Sequence, residues 1–360
     1  MLFLDFLVGL AGVALVGASL NDLFQSAIMP RSVGGRLRPS VQLSRRGWQV
    51  WRNMALRIGD AERREDTLAV FAPMLMVTLG AFWVAFEILG FGLIFWSLRM
   101  GIRPQPDFGA SIYFAGASLL TIGYGDFEPV TPVTRVLALA AAGFGLGTFA
   151  VVTTFLFQTF GAFQRREAFI VTMSERTGAP PSGLEFVLRH VKLGLLGDVG
   201  PLLREAQRWI AETMETHLAY PVLTYFRSSH DDESWVGTLG AILDATTLLI
   251  TTVDLDHRGE AAITARIGTH LVHDFSNFFR LPRSDAAGVD YDEFVLAYRA
   301  LGELDVPLLP MEAAWTAFAA KRAAYADELD AMARWWRIPP ARWIGDRSRV
   351  RQHVNVGLIR

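Results

Sequence analysis

Cysteine is missing from all 360 residues, which excludes a disulfide framework, a thiolate metal site and redox chemistry at a sulfur nucleophile. Lysine is almost as scarce: Lys192 and Lys321 stand alone, arginine carries the rest of the positive charge, and the bias resembles that of a GC-rich bacterial coding sequence. Charge of either sign is sparse at 19%, against 51% hydrophobic residues and a mean hydropathy of +0.28. A disordered chain is thereby excluded, and an ordinary soluble protein fits poorly. The formal net charge of −2 provides no basic surplus for nucleic acid, which is not expected as a partner.

The charge that is present divides unevenly. Residues 1–166 hold 14 arginines and 10 acidic residues, whereas the remainder holds 20 basic and 26 acidic ones. A basic, apolar front half followed by an acidic, ordinary back half is the pattern of a membrane domain joined to a soluble one. No charge interrupts Ala69–Phe86, and after Glu87 the apolar run resumes to Trp96. At about 1.5 Å per residue that stretch crosses a hydrocarbon core of about 30 Å with room to tilt. Val136–Gln164 is charge-free throughout and closes on Arg165 and Arg166, expected as anchors at a cytoplasmic surface. Leu2–Leu20 is apolar save for Asp5 and has no basic stretch before it, so it reads as an uncleaved membrane helix rather than a signal peptide.

Nine arginines fall within residues 31–64, where no acid precedes Asp60. Basic loops stay inside, so this segment and everything after Gln164 are expected in the cytoplasm, with the N-terminus and Asp107–Pro129 outside. Trp48, Trp51, Ala55 and Ile58 recur at helical spacing, with Arg45, Arg46, Arg52 and Arg57 interleaved. That pattern suits an interfacial helix on anionic lipid, or equally a solvated basic connector.

Between the two long spans, Phe108–Leu120 is apolar yet too short to cross, and so reads as a re-entrant half-helix. Backbone that leaves a helix at membrane depth is tolerated only where protein buries it or where it lines a cavity holding ions or water. The residues that follow are Thr121-Ile122-Gly123-Tyr124-Gly125-Asp126. Alternating glycines open backbone conformations closed to most side chains, so neighbouring carbonyls can share one side and replace an ion's water. The half-helix would point the negative end of its dipole at the cavity below.

Here the chain resembles the potassium-channel family, whose filter is a TVGYG loop from each of four subunits. This chain has isoleucine for the valine, and Pro129, Thr131 and Arg135 follow in the family's order. The resemblance implies potassium sites built by Thr121, Ile122, Gly123, Tyr124 and Gly125, with Asp126 closing the outer mouth, and a homotetramer, since each chain carries one filter. It implies K⁺ as the permeant ion and no cofactor. Gly145 falls nineteen residues after Asp126, where the family keeps its hinge glycine, and Gly143 is a second hinge candidate; Gly143 and Gly147 also suit close helix packing. Phe155, Phe157, Phe160 and Phe163 are candidates for a hydrophobic constriction or for lipid contact. Where some members place a carboxylate behind the filter this chain has Ala117, and no helix repeats arginine at every third position, so no voltage sensor is expected.

The resulting expectation is an all-α membrane protein of the potassium-channel pore type, located in a bacterial cell membrane. Its parts are an N-terminal membrane helix in 1–29, a basic linker in 30–66, a pore domain in 67–164 and a helical cytoplasmic domain in 165–360. Within the pore domain the outer helix takes 67–98, the pore helix 108–120, the filter 121–126 and the inner helix 133–164.

In the acidic half, helical periodicity predicts segments over 201–218, 232–252 (started by the acidic cluster at Asp231, Asp232 and Glu233), 259–280, 290–304 and 311–336. Gly194, Gly197 and Gly200 lack the spacing of a dinucleotide-binding turn, and no β-roll pattern for a cyclic nucleotide is present. His217, His230 and Asp231 form one candidate metal set, for which a helix cap with a solvated histidine is the favoured reading, and His270, His273 and Asp274 on adjacent turns another, which has no third identified ligand. No arrangement suggests an enzyme. Besides a potassium channel, two readings stay open: a membrane-anchored oligomeric sensor with a non-conducting pore-like half, and a nonselective cation channel.

Overall fold

A computed structural model describes residues 2–29, 38–230, 232–254, 258–282, 289–339 and 341–344. The chain divides into two compact units, Met1–Gly161 and Ala162–Arg360. Among the described residues both are largely helical, with one two-stranded pairing, and three helices are long and apolar enough to cross a membrane.

In the first unit, α1 (Leu2–Ala27) packs along α3 (Ala61–Ser97). The two backbones approach closely at Gly12 and Gly90: a Cβ on Gly12 would lie 2.5 Å from the Gly90 carbonyl oxygen. Polar ties fix both ends of this contact. Arg99 donates to Asp5 at 2.8 Å, and the Trp83 indole donates to buried Asp22 at 2.9 Å. Asp22 also accepts from the backbone N–H and the hydroxyl of Ser40, at 3.2 and 2.8 Å, and so holds the start of α2 (Pro39–Ala55). The Trp48 and Trp51 rings lie against Phe71 of α3, and the Trp51 indole donates to the Thr67 carbonyl at 2.7 Å. The apolar face of α2, including buried Trp48 and Ala55, therefore packs on protein rather than lipid; Arg45, Arg46 and Arg57 are exposed and Arg52 is half-buried. Periodicity identifies an apolar face without saying what covers it.

Helix α3 begins at Ala61, six residues before the expected start at 67, because the Asp60 carboxylate caps the Arg63 N–H at 2.9 Å. The pore helix α4 (Phe108–Leu119) is flanked by β1 (Ile102–Arg103) and β2 (Glu128–Pro129), which pair antiparallel. Helix α5 (Pro132–Thr177) continues thirteen residues past the expected end at 164. Arg166, expected as a surface anchor, is buried in the second unit: it donates to the carbonyls of Leu223 and Phe226, each at 3.0 Å, and to Glu167 at 2.9 Å. Five hydrogen-bond donors on a guanidinium suit it to organise such a site.

In the second unit α6 (Gly183–Lys192), α7 (Val199–Ala219), α9 (Arg258–Phe279), α10 (Tyr291–Gly302), α11 (Met311–Ala323) and α12 (Ala326–Trp335) accompany the central α8 (Trp235–Thr251), whose residues are buried almost throughout. This explains an apolar stretch in an otherwise acidic half. Helix α8 is capped by Ser234, whose hydroxyl accepts from the Gly237 N–H at 3.0 Å; of the acidic cluster thought to start it, Asp232 and Glu233 precede the helix and Asp231 lies outside the described residues. The single helix expected over 311–336 is two, parted at Ala324–Tyr325. There Tyr325 turns inward so that its hydroxyl donates to buried Asp244 at 2.7 Å, beside Arg322, which donates to the same carboxylate at 2.9 Å.

Candidate ion pathway

The segment after α4 owes its position to both ends of that helix. At the start, the Asp107 carboxylate accepts from the Ala110 N–H at 2.7 Å and the Ser111 hydroxyl donates back to the Asp107 carbonyl. Twelve residues at about 1.5 Å each cover about 18 Å, so the chain emerges from α4 short of the far side of a bilayer. At the end, the Ile122 N–H donates to the Ala117 carbonyl at 2.8 Å and turns the backbone out of the helix.

From there the backbone alternates. Thr121, Gly123 and Gly125 take left-handed φ angles of +55°, +65° and +78°, while Ile122 and Tyr124 between them do not. Such alternation brings successive carbonyls to one side of the strand, and glycine adopts it without the steric cost an L side chain meets. Thr121 accepts that cost, as residues held at functional sites commonly do. Thr121–Asp126 are all exposed, and a Cβ at Gly123 or Gly125 would meet nothing within 4 Å.

Two supports hold this segment upright. Tyr113 of α4 stacks on Tyr124, with centroids 6.5 Å apart and planes 7° from parallel. Beyond the segment, the β1–β2 pair and a bond from the Val130 N–H to the Gly101 carbonyl at 2.9 Å tie the exit to the end of α3. Thr134 donates to the same carbonyl at 2.9 Å, and Thr131 and Thr134 exchange bonds between backbone N–H groups and hydroxyls at the start of α5. Arg135 donates to the Pro129 carbonyl at 3.1 Å. The Pro129, Thr131, Arg135 order thus has a mechanical basis: each residue helps to fix the limb that leaves Thr121–Asp126. Sequence reading missed Tyr113, Gly101 and Thr134, although threonines three apart before an apolar run are a cap signal.

Helix α5 meets the base of the segment at Gly145, where a Cβ would fall on the Leu119 carbonyl oxygen. The other hinge candidate, Gly143, and its packing companion Gly147 have open space in one chain. A cleft of about 470 Å³ between the segment and α5 is lined by Ala117, Ser118, Thr121, Gly123, Arg135 and Leu139 among others. Of the four phenylalanines considered for a constriction, Phe155 packs on Trp83 and Phe163 on Phe226, whereas Phe157 is 75% exposed and Phe160 remains largely exposed.

The candidate metal residues do not assemble. His217 is buried, with Arg166 donating to its Nε2 at 3.0 Å and Thr216 bonded to its Nδ1 at 3.2 Å. Burial first, and the Arg166 charge second, hold this imidazole well below the ordinary histidine range. A guanidinium at bonding distance repels any metal there. His230 is exposed, and Asp231 lies outside the described residues. His270 pairs with Asp274 and His273 with Glu328, and no three metal-ligating side chains cluster among the described residues.

A short re-entrant helix, an alternating glycine segment and long helices on either side define a membrane pore unit. Comparison with known proteins agrees: residues 82–162 match the family described as ion channel. The chain is also 21% identical over 244 residues to an uncharacterized membrane protein, YdjJ, of Bacillus subtilis (strain 168), spanning 66% of this chain and 68% of that one. No solved structure matches it.

Proposed function

We propose that the protein is a potassium-selective channel in which four copies of the chain conduct K⁺ passively down its electrochemical gradient. The observation that carries this reading is the left-handed backbone at Thr121, Gly123 and Gly125, alternating with Ile122 and Tyr124. Carbonyls of Thr121, Ile122, Gly123 and Tyr124, with the Thr121 hydroxyl, would replace the ion's hydration shell, and Asp126 would attract cations to the outer mouth. One chain supplies one wall of such a filter. The exposure of Tyr124 and Ile122, and the open space around Gly143 and Gly147, fit contact with neighbouring copies. Exposed Phe157 is the constriction residue in this reading. The second unit assembles or gates the tetramer.

The arginine bias of the α2 loop supports a cytoplasmic placement for it and for the second unit, in the cell membrane of a bacterium. Exposed Arg45, Arg46 and Arg57, with Arg52, would contact anionic headgroups there. Purified protein in liposomes, driven by a potassium gradient, should take up K⁺ in a way that Gly123→Asp abolishes and sodium cannot replace. Equal sodium uptake would favour a nonselective channel. Ligand responses that survive Gly123→Asp in a protein without flux would favour a membrane-anchored sensor.

A further inference from the structure

Glu87 lies midway along the apolar part of α3 and is wholly buried. An ionisable side chain at such depth is costly and marks function by default, with its partner as the first question. That partner is Thr148 of α5, itself buried, whose hydroxyl donates to Glu87 Oε1 at 2.7 Å. The second carboxyl oxygen, Oε2, has no hydrogen-bond partner among the described residues. Helix α4 has no charged residue, α5 has none between Arg135 and Arg165, and the two acids of α1, Asp5 and Asp22, are occupied by Arg99 and by Trp83, Ser40 and Arg38.

Thr148 also behaves unlike other threonines of its helix. Thr154, Thr159, Thr172 and Thr177 each donate to the carbonyl four residues back, the usual choice for a helical hydroxyl. Thr148 turns outward to α3 instead. The Glu87–Thr148 bond is the polar rung of a ladder joining the two helices, with Trp83 on Phe155 to one side and Phe91 on Phe144 to the other. It sits one turn beyond Gly145, where α5 touches the base of the filter segment.

We propose that Glu87 and Thr148 form a latch that holds α5 against α3 just beyond its pivot at Gly145, and so restrains the inner helix in the non-conducting state. Glu87 is a positioning residue: it touches no ion and acts through Thr148. The gating role rests on the conduction reading above. The alternative, that the pair merely adds stability, predicts no preferential effect on gating.

Single-channel recordings of the full chain in planar bilayers test this, together with thermal unfolding of the same proteins. Thr148→Val and Glu87→Met should each raise the ratio of open to closed time by about three- to tenfold, the equivalent of one buried hydrogen bond. The double variant should go no further than either single one. Glu87→Gln keeps an acceptor for Thr148 and should stay within about twofold of the unmodified protein. Additive effects of the two single variants, unchanged open-to-closed ratios, or a Glu87→Gln that behaves like Glu87→Met would overturn the latch. Coupling between Glu87 and Thr148 in thermal unfolding is read without any current. An unmodified protein that never conducts would contradict the channel reading and gating through this pair, while vanishing coupling would contradict the latch itself.

Discussion

Tyr124 and Asp244 are each polar groups at the heart of their unit, yet Tyr124 is 70% exposed and Asp244 is wholly buried. Asp244 has its partners within one chain, Arg322 of α11 and Tyr325 at the break before α12. The filter segment has supports within one chain, Tyr113 and the β1–β2 pair, but leaves its own face bare. A core seeks closure, whereas under the proposed channel reading the segment must keep its carbonyls free for an ion that arrives from outside the chain. The contrast therefore separates residues that serve stability from residues that serve function, and substitutions at the two places should fail differently.

Gly123→Asp should have the largest effect: complete loss of potassium flux, with stability lowered only by the left-handed backbone at that position, by about 1–2 kcal/mol, since a side chain there meets nothing within 4 Å. A parallel fall in both would erase the distinction. Asp244→Ala should do the reverse. It leaves Arg322 buried without its counter-charge, costing about 3–5 kcal/mol in denaturant or thermal unfolding. Ion selectivity of any protein that still folds should be unchanged. Gly145→Ala comes third, at about 1–3 kcal/mol from overlap with the Leu119 carbonyl, and under the channel reading should also perturb conduction because that carbonyl lies just before Thr121.

The smallest expected effect is a pH dependence in the second unit. The folded protein keeps His217 neutral, through burial and the nearby Arg166, and burial lowers His190 likewise. The unfolded chain binds protons at both below about pH 6.5. Their contribution to stability is thus present above that value and lost progressively as pH falls. Melting temperature should drop between neutral pH and about pH 5, and His217→Gln, which keeps an acceptor for Arg166, should shrink the drop. An unchanged drop would exclude His217 as its source.

The pore segment was legible because its chemistry is local: a short apolar helix, alternating glycines and a polar exit follow one another between Asp107 and Arg135. The spans were legible for the same reason, since apolar length is a property of sequence alone. What escaped depends on contacts between distant positions. Helix α5 runs past Gln164 because Arg166 finds buried acceptors at Leu223 and Phe226, some sixty residues on. The face of α2 was legible as a face, but its cover, Phe71, was not. No proline or glycine marks the break at Ala324–Tyr325, which follows from the pull of Asp244 on Tyr325. Glu87 stood out as a charge in an apolar run, while its partner lies 61 residues away.

Selection of K⁺ by the backbone of Thr121–Gly125 is tested most directly by the reversal potential of the reconstituted protein, with potassium on one side of a planar bilayer and sodium on the other. A filter built from these carbonyls gives a reversal potential displaced far from zero, with the potassium side negative, and no current from Gly123→Asp. A reversal potential near zero, with current of similar size carried by both ions, would contradict it.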